Sequence, residues 1–193
     1  LMLQETKLQE SHEAEVEPAL LAALCGDDDD SDSASWRSAF ASSTARKGYS
    51  GVCTLWNERT LSSDVAAAAM CAPLPVDPQS EAEREGRTLL LTLPLKPIEL
   101  GLVNVYTPNA GAELSRLPYR TGAGGWDERF RAALVGPQLF GDHLCVLGDL
   151  NVAVEDLDFF NPHEARMKKQ AGTTPEERAS MREMLAPAGG MVD

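Results

Sequence analysis

Leu144-Cys145-Val146-Leu147-Gly148-Asp149-Leu150-Asn151 decides how this chain is read. Its first four residues form an unbroken apolar run. A short run of that kind predicts a buried central strand over 143–147. Gly148 then lets the chain turn, and an acid and an amide stand two residues apart where the strand ends. In α/β sheets, ligands and catalysis gather at the carboxyl ends of strands. On an extended backbone, positions i and i+2 share a face, so Asp149 and Asn151 are expected to point the same way. Asp149 can take a proton or hold a metal, and Asn151 can donate and accept without changing charge. By itself an Asp-x-Asn after a strand more often closes a turn than carries chemistry. The rest of the chain decides between the two.

Working outward, Leu1-Met2-Leu3 reads as the end of a strand followed by Gln4-Glu5-Thr6-Lys7. Pro18 suits the first turn of a short helix, Ala19 to Leu24, closed by Gly26. Residues 26–46 read as an acidic, Ser-rich loop insertion, with aspartates at 27–30 and 32. A solvated loop is expected there, since calcium loops spread their ligands around a glycine bend. Gly48-Tyr49-Ser50-Gly51 leads into a strand, Val52 to Trp56, and residues 62–84 read as an irregular surface excursion. Arg87 to Leu93 and Ile98 to Tyr106 are two strands separated by Pro94 and Pro97. Trp126, Phe130, Ala133 and Leu134 recur at helical spacing, giving an amphipathic helix over 125–135. Thr174, Pro175 and Glu177 spell an N-cap, a first helical residue and a capping box, with Met181, Met184 and Leu185 as the buried face. The mixed order predicts an α/β sandwich with antiparallel pairs.

The 193 residues suit one domain with a sizeable core, and 43% hydrophobic with 24% charged residues is ordinary for a globular protein. No run reaches the roughly 20 apolar residues of a membrane span, so no membrane partner is expected. Cys25, Cys53, Cys71 and Cys145 are too widely spaced for a zinc or redox motif, and Cys53 and Cys145 read as small core residues. A net charge of −13 argues against non-specific adhesion to nucleic acid. No Gly-x-Gly-x-x-Gly or Walker-type loop is present, which argues against a nucleotide cradle.

Three strand ends carry polar groups: Glu5, Tyr106 to Asn109, and Asp149 with Asn151. If those strands are neighbours, one rim holds two carboxylates, a phenol and two amides. That set suits phosphodiester hydrolysis. Mg²⁺ takes one or two carboxylates and leaves room for phosphate oxygens. A carboxylate can also orient or deprotonate water, while cation and hydrogen-bond donors stabilise the charge at phosphorus.

At this point the sequence resembles the exonuclease III-type apurinic/apyrimidinic (AP) endonucleases of the endonuclease/exonuclease/phosphatase superfamily. The residues that carry the resemblance begin with Leu3-Gln4-Glu5-Thr6-Lys7, Lys47-Gly48-Tyr49-Ser50-Gly51-Val52 and Glu85-Gly86-Arg87. Val105-Tyr106-Thr107-Pro108-Asn109-Ala110-Gly111, Arg116-Leu117, Trp126-Asp127-Glu128 and Gly148-Asp149-Leu150-Asn151-Val152-Ala153 continue it. Asp158, Asn161-Pro162, Ala171-Gly172-Thr173, Pro175 and Glu177-Arg178 complete it. The Glu5 and Gly-Asp-x-Asn signals are shared across the superfamily, whereas the Tyr-x-Pro-Asn-Ala-Gly and Asn-Pro…Ala-Gly-x-Thr blocks belong to its DNA-repair branch.

The resemblance implies a four-layered α/β sandwich, here a single partial domain over 1–193, incomplete at both ends. It implies Mg²⁺ as cofactor, with Mn²⁺ as a substitute, and a monomer acting on double-stranded DNA with abasic sites, inside the cell, in the nucleus first, with an organelle or the bacterial cytoplasm as alternatives. Glu5 would be the principal metal ligand, and Asp149 would activate or position water. Asn151 would orient Asp149 or contact the phosphate, and Tyr106 would hydrogen-bond the phosphate or assist the leaving group. Lys7 and Asn109 would support these groups. Gly48, Tyr49, Arg116, Asn161, Lys168 and Lys169 would meet the DNA backbone. The family also has a Trp-Asn strand before this region and an Asp-His pair after it, neither of which occurs in the 193 residues. Cleavage 5′ to abasic sites is therefore expected of a longer protein, a companion 3′–5′ exonuclease activity being left open by the sequence, and the segment alone is expected to be inactive. The competing expectations are an incomplete binding module of the same fold, or an enzyme acting on a lipid or RNA phosphodiester.

Overall fold

A computed structural model describes residues 1–25, 35–76, 83–135 and 143–186. The aspartates at 27–30 and 32, and Gly26, lie outside the described residues. The chain divides into two compact units, Leu1–Tyr106 with Gln138–Asp149, and Thr107–Pro137 with Leu150–Asp193.

The first unit is built on two sheets. One contains β1 (Met2–Gln4), β2 (Trp36–Ala41) and β3 (Val52–Asn57) in the order β1-β3-β2, all antiparallel. The other runs β4 (Met70–Ala72), β5 (Thr88–Leu93), β6 (Leu100–Tyr106) and β7 (His143–Asp149), antiparallel except for the parallel pair β6–β7. Val52, Leu89 and Tyr106 form one buried cluster with Ala39, Ala41 and Cys71 against it. Val65, Leu91 and Leu93 form a second, joined by Trp56 and Leu61. Each such aliphatic side chain contributes roughly 1.5–3 kcal/mol by leaving water. A polar tie also crosses this core: the fully buried Asn104 on β6 donates to Cys53 O at 2.9 Å and accepts from Gln4 Nε2 at 2.8 Å. Asn104 thus anchors β1, only three residues long, to the second sheet.

Several expectations need correcting. The loop insertion over 26–46 is shorter than expected, because Trp36–Ala41 pairs along its whole length with β3. The Ser-rich composition hid the alternation of Trp36, Ser38 and Phe40 with their neighbours. The first helix, α1 (Glu10–Cys25), begins nine residues before Ala19 and carries Pro18 inside it rather than at its start. Glu10 and Glu13 sit in its first turn, where carboxylates complement the helix dipole. The excursion over 62–84 contains α2 (Ser63–Ala68) and β4, the latter paired with β5. β7 is the strand expected over 143–147, but it is not buried: Leu147 is 42% exposed and Cys145 is exposed rather than in the core. Among the described residues β7 pairs only with β6, so composition alone overstated its cover.

The second unit is helical: α3 (Leu117–Thr121), α4 (Trp126–Leu134) and α5 (Pro175–Leu185). Trp126 stacks on Phe130 with centroids 4.7 Å apart, and both are buried together with Leu134, as the helical spacing predicts. Met184 is buried on α5. The Thr174–Glu177 capping box forms as read from sequence. No helix among the described residues is long and apolar enough to cross a membrane.

Candidate active site

In the first unit, Glu5 follows β1 at φ 52° and Lys7 at φ 55°, the left-handed region that side chains other than glycine's seldom adopt. Backbone pairing holds them there: Thr6 N donates to Gly51 O at 3.1 Å and Lys7 N to Ser50 O at 2.8 Å. Gly51 permits this approach, since a Cβ at that position would lie 2.3 Å from Thr6 Oγ1. The Tyr106 hydroxyl donates to Glu5 Oε1 at 2.9 Å, and Lys7 Nζ lies 2.7 Å from Glu5 Oε2. Glu5 thus has a phenol on one oxygen and an exposed cation on the other. The Lys7 contact, then the Tyr106 hydroxyl, hold its carboxyl below the usual 4.5. Burial, then the bond to Glu5, push the Tyr106 phenol up to about 12. The two shifts agree: Glu5 is the ionised acceptor and Tyr106 the proton-bearing donor at neutral pH.

Asp149 closes β7 directly opposite Tyr106 in the parallel ladder. Gly148 makes that register attainable. It sits at φ 141°, and a Cβ there would fall 2.0 Å from Val105 O. Sequence reasoning quoted Arg87 in a motif and gave it no task. It is nearly fully buried and donates to Tyr106 O at 2.9 Å, Tyr49 Oη at 2.8 Å and Glu85 Oε2 at 2.6 Å. Its guanidinium also lies 4.9 Å from the Tyr106 ring centroid and 5.5 Å from that of Tyr49. The signal that would have found it is an arginine opening an otherwise apolar strand, where an unpaired charge is too costly to bury. Gly48, at φ 63° and exposed, and half-buried Tyr49 lie in the loop before β3.

In the second unit, Asn151 takes φ 49°. The strand ends at Asp149, so the period-two argument that put Asp149 and Asn151 on one face does not carry past Leu150. Asn151 Nδ2 donates to Thr107 O at 2.8 Å, and its Oδ1 accepts from Asn109 Nδ2 at 3.0 Å. Asn109 Oδ1 in turn accepts from Gly111 N at 2.8 Å, fixing its own loop. Behind Asn151 stands Arg120, also without a role in the sequence reading, 2% exposed, with its guanidinium on the carbonyls of Leu150 and Asn151 and on Asp127 and Glu177. Burial pushes the Asp127 carboxyl up, against the pull of Arg120.

The expected backbone-contacting residues of this unit are spread over two segments. Arg116 lies 4.7 Å over the Tyr119 ring. Asn161, at φ 58°, opens a turn by accepting from Glu164 N, and Lys168 and Lys169 are exposed on the 3₁₀ turn Met167–Lys169.

The structure therefore brings Glu5, Lys7, Tyr106 and Asp149 together in one unit, with Tyr49 joined through Arg87. In the other it pairs Asn109 with Asn151. Among the described residues, no group of three or more His, Cys, Asp or Glu is arranged to hold a metal ion. At the ends of β1 and β7 the acidic donors are Glu5 and Asp149.

No family model matches the chain. It is 36% identical over 146 residues to the DNA repair nuclease APEX1 of Danio rerio, covering 76% of this chain and 41% of that protein. It is 33% identical over 151 residues to an exodeoxyribonuclease of Streptococcus pneumoniae, covering 78% of this chain and 48% of that protein. The chain thus spans less than half the length of these curated relatives. The solved structure of AP endonuclease LMAP from Leishmania major matches with TM-score 0.71 and 28% identity, over 96% of this chain and 56% of that one. The Xenopus laevis APE2 catalytic domain shares the fold, with TM-score 0.58 and 21% identity over 95% of this chain and 58% of that one. In sequence and in its α/β fold, the chain is a homologue of the exonuclease III-type AP endonucleases.

Proposed function

We propose that the chain supplies part of the centre of a DNA-repair phosphodiesterase, dependent on Mg²⁺ or Mn²⁺, that cuts DNA 5′ to abasic sites. The observation that carries the reading is the hydrogen bond from Tyr106 to Glu5, joining residues 101 positions apart at the same strand end as Asp149. Likeness to named nucleases gives it a substrate class. Because the segment spans less than half of those relatives, the activity is assigned to a longer protein that contains it, and the 193 residues alone are expected not to cleave. On this reading the protein works inside the cell, in the nucleus, and as a monomer.

The residues fit the cation that the reading needs. Glu5 is ionised, partly exposed and pre-oriented by a phenol, and Asp149 adds a second carboxylate. One or two carboxylates suit Mg²⁺, which keeps several waters and phosphate oxygens. Glu5 would hold the ion, with Asp149 and Asn151 as further oxygen donors. When bound, it would supply positive charge to the phosphate and lower the pKa of coordinated water.

In hydrolysis, water oxygen bonds to phosphorus, the bond from phosphorus to the 3′ oxygen breaks, and that oxygen takes a proton. Asp149 would orient the water and accept its proton. Tyr106 keeps its proton through the physiological range, so its part is to donate, to a phosphate oxygen or to the departing one. The amides of Asn151 and Asn109 would offer N–H groups to a phosphate without adding charge. Gly48, Tyr49, Arg116, Asn161, Lys168 and Lys169 would position the duplex through its backbone. A net charge of −13 makes these local contacts necessary, since long-range attraction is absent.

A nicking assay on an abasic-site duplex with Mg²⁺ tests the reading. A protein containing the whole chain and its flanks should cut 5′ to the site, and Glu5→Ala or Asp149→Asn should each abolish cutting without unfolding it. Turnover retained in either variant would remove the assigned roles. Cleavage of a phosphoinositide or of RNA instead would move the protein to another branch of the superfamily, and robust cutting by the 193 residues alone would overturn the claim that the segment is inactive.

A further inference from the structure

We propose that Arg120 is a positioning residue for Asn151, held in place by the N-terminal cap of α5. The proposal rests on the reading of Asn151 as a site residue. An arginine buried only to balance charge would place its shortest bonds on carboxylates. Arg120 does the reverse. Its Nη2 donates to Leu150 O and its Nη1 to Asn151 O, both at 2.7 Å, while Glu177 Oε1 lies at 3.0 Å and Asp127 Oδ1 at 3.3 Å. Two consecutive main-chain carbonyls gripped by one rigid fork fix the peptide planes on either side of Asn151. Asn151, between those planes, takes φ 49°, a conformation that persists only where the surroundings over-determine it. Thr107 O and Asn109 Nδ2 fix the side chain of the same residue. Asn151 is thus held by main chain and side chain together.

The fork is itself held. Glu177, fully buried, gives one oxygen to Arg120 and the other to Gly172 N at 2.8 Å and Thr174 Oγ1 at 2.8 Å. Asp127 holds the guanidinium through Nε. The capping box that starts α5 is therefore the last link of a chain that runs Thr174, Glu177, Arg120, Asn151. Lysine cannot replace this arginine: a single ammonium has three donors on one atom and cannot span two carbonyls and two carboxylates.

The test follows the side-chain amides of Asn151 and Asn109 by NMR in Arg120→Lys, Arg120→Met and Met184→Ala. Met184 is buried in the same unit, so its truncation loosens that unit through packing alone. In both Arg120 variants, amide protons of Asn151 should exchange at least tenfold faster and move toward free-amide shifts, while Met184→Ala leaves them in place. In a nuclease-active protein carrying the chain, Arg120→Lys should lower kcat about tenfold or more with KM unchanged, as the loss of an outer-shell support does. Met184→Ala should keep kcat below its melting temperature. A folded Arg120→Lys with unaltered Asn151 signals overturns the proposal. So does Met184→Ala disturbing them equally, because the role is then structural only. Should Arg120→Met not fold, Arg120→Lys decides. Should the wild-type protein cut no DNA, the nuclease reading falls and the amide signals alone decide the proposal.

Discussion

Arg87 and Arg120 are both buried arginines, one in each unit, and they solve different problems. Arg87 has one carboxylate, Glu85, and spends its other donors on a carbonyl and a phenol, with two tyrosine rings beside it. Arg120 has two carboxylates and two carbonyls, and among the described residues no aromatic ring lies against its guanidinium. The first orients aromatic side chains, and the second fixes backbone. The lesson is that a buried cation is worth reading by what it donates to, since its charge partner explains only its presence.

The largest effect expected from this contrast is on stability. Arg120→Met strands two buried carboxylates and should cost about 3–5 kcal/mol in denaturant unfolding. Arg87→Met removes one buried ion pair, that with Glu85, and should fall at the lower end, about 3 kcal/mol, with a loss of near-ultraviolet dichroism from Tyr49 and Tyr106. An equal or reversed order would break the distinction between the two arginines.

Asn104 sharpens it next, as a neutral group that ties elements as firmly as a charge. Asn104→Ala leaves buried acceptors and Gln4 unpaired and should cost about 1–3 kcal/mol in the same measurement. Thr174→Ala removes the cap oxygen that also steadies Glu177, and should cost about 1 kcal/mol.

The smallest effect is electrostatic. Tyr106→Phe should raise the Glu5 pKa toward 4.5 in an NMR titration of the metal-free chain. Lys7 keeps it somewhat below that value, being the larger cause of the depression. Because the folded pKa is depressed, Glu5 contributes stability above its unfolded value, lost as pH falls through the folded one. Wild type and Tyr106→Phe should therefore lose their Glu5-dependent difference on acidification, and a difference that grows would contradict the assignment. The contribution is small, since Glu5 is 44% exposed and water screens it.

Much of this was legible in the sequence where local chemistry and packing agree. The Thr174–Glu177 box and the Trp126–Phe130 stripe follow from spacing, and the β5–β6 pair from two apolar runs parted by Pro94 and Pro97. The same rules miss where they conflict. Pro18 signals a helix start, yet the helix already runs through Glu10–Glu17. The 144–147 run signals burial that the described residues do not supply. Among the candidate site residues, Glu5, Tyr106, Asp149 and the two asparagines were visible because polar groups at strand ends stand out. Arg87, Asn104 and Arg120 were not, because their work is done through pairings 19 to 101 residues apart along the chain. Composition carries no sign of such pairings.

Gly148 has a consequence for inheritance. A glycine codon reaches only residues with a Cβ by single-base missense change. At this position that carbon would meet Val105 O at 2.0 Å, where the β6–β7 ladder sets Asp149 beside Tyr106. Every missense neighbour of the codon therefore adds the carbon that the ladder has no room for. Variation at this site should be rare and damaging, even though no side chain there touches the chemistry.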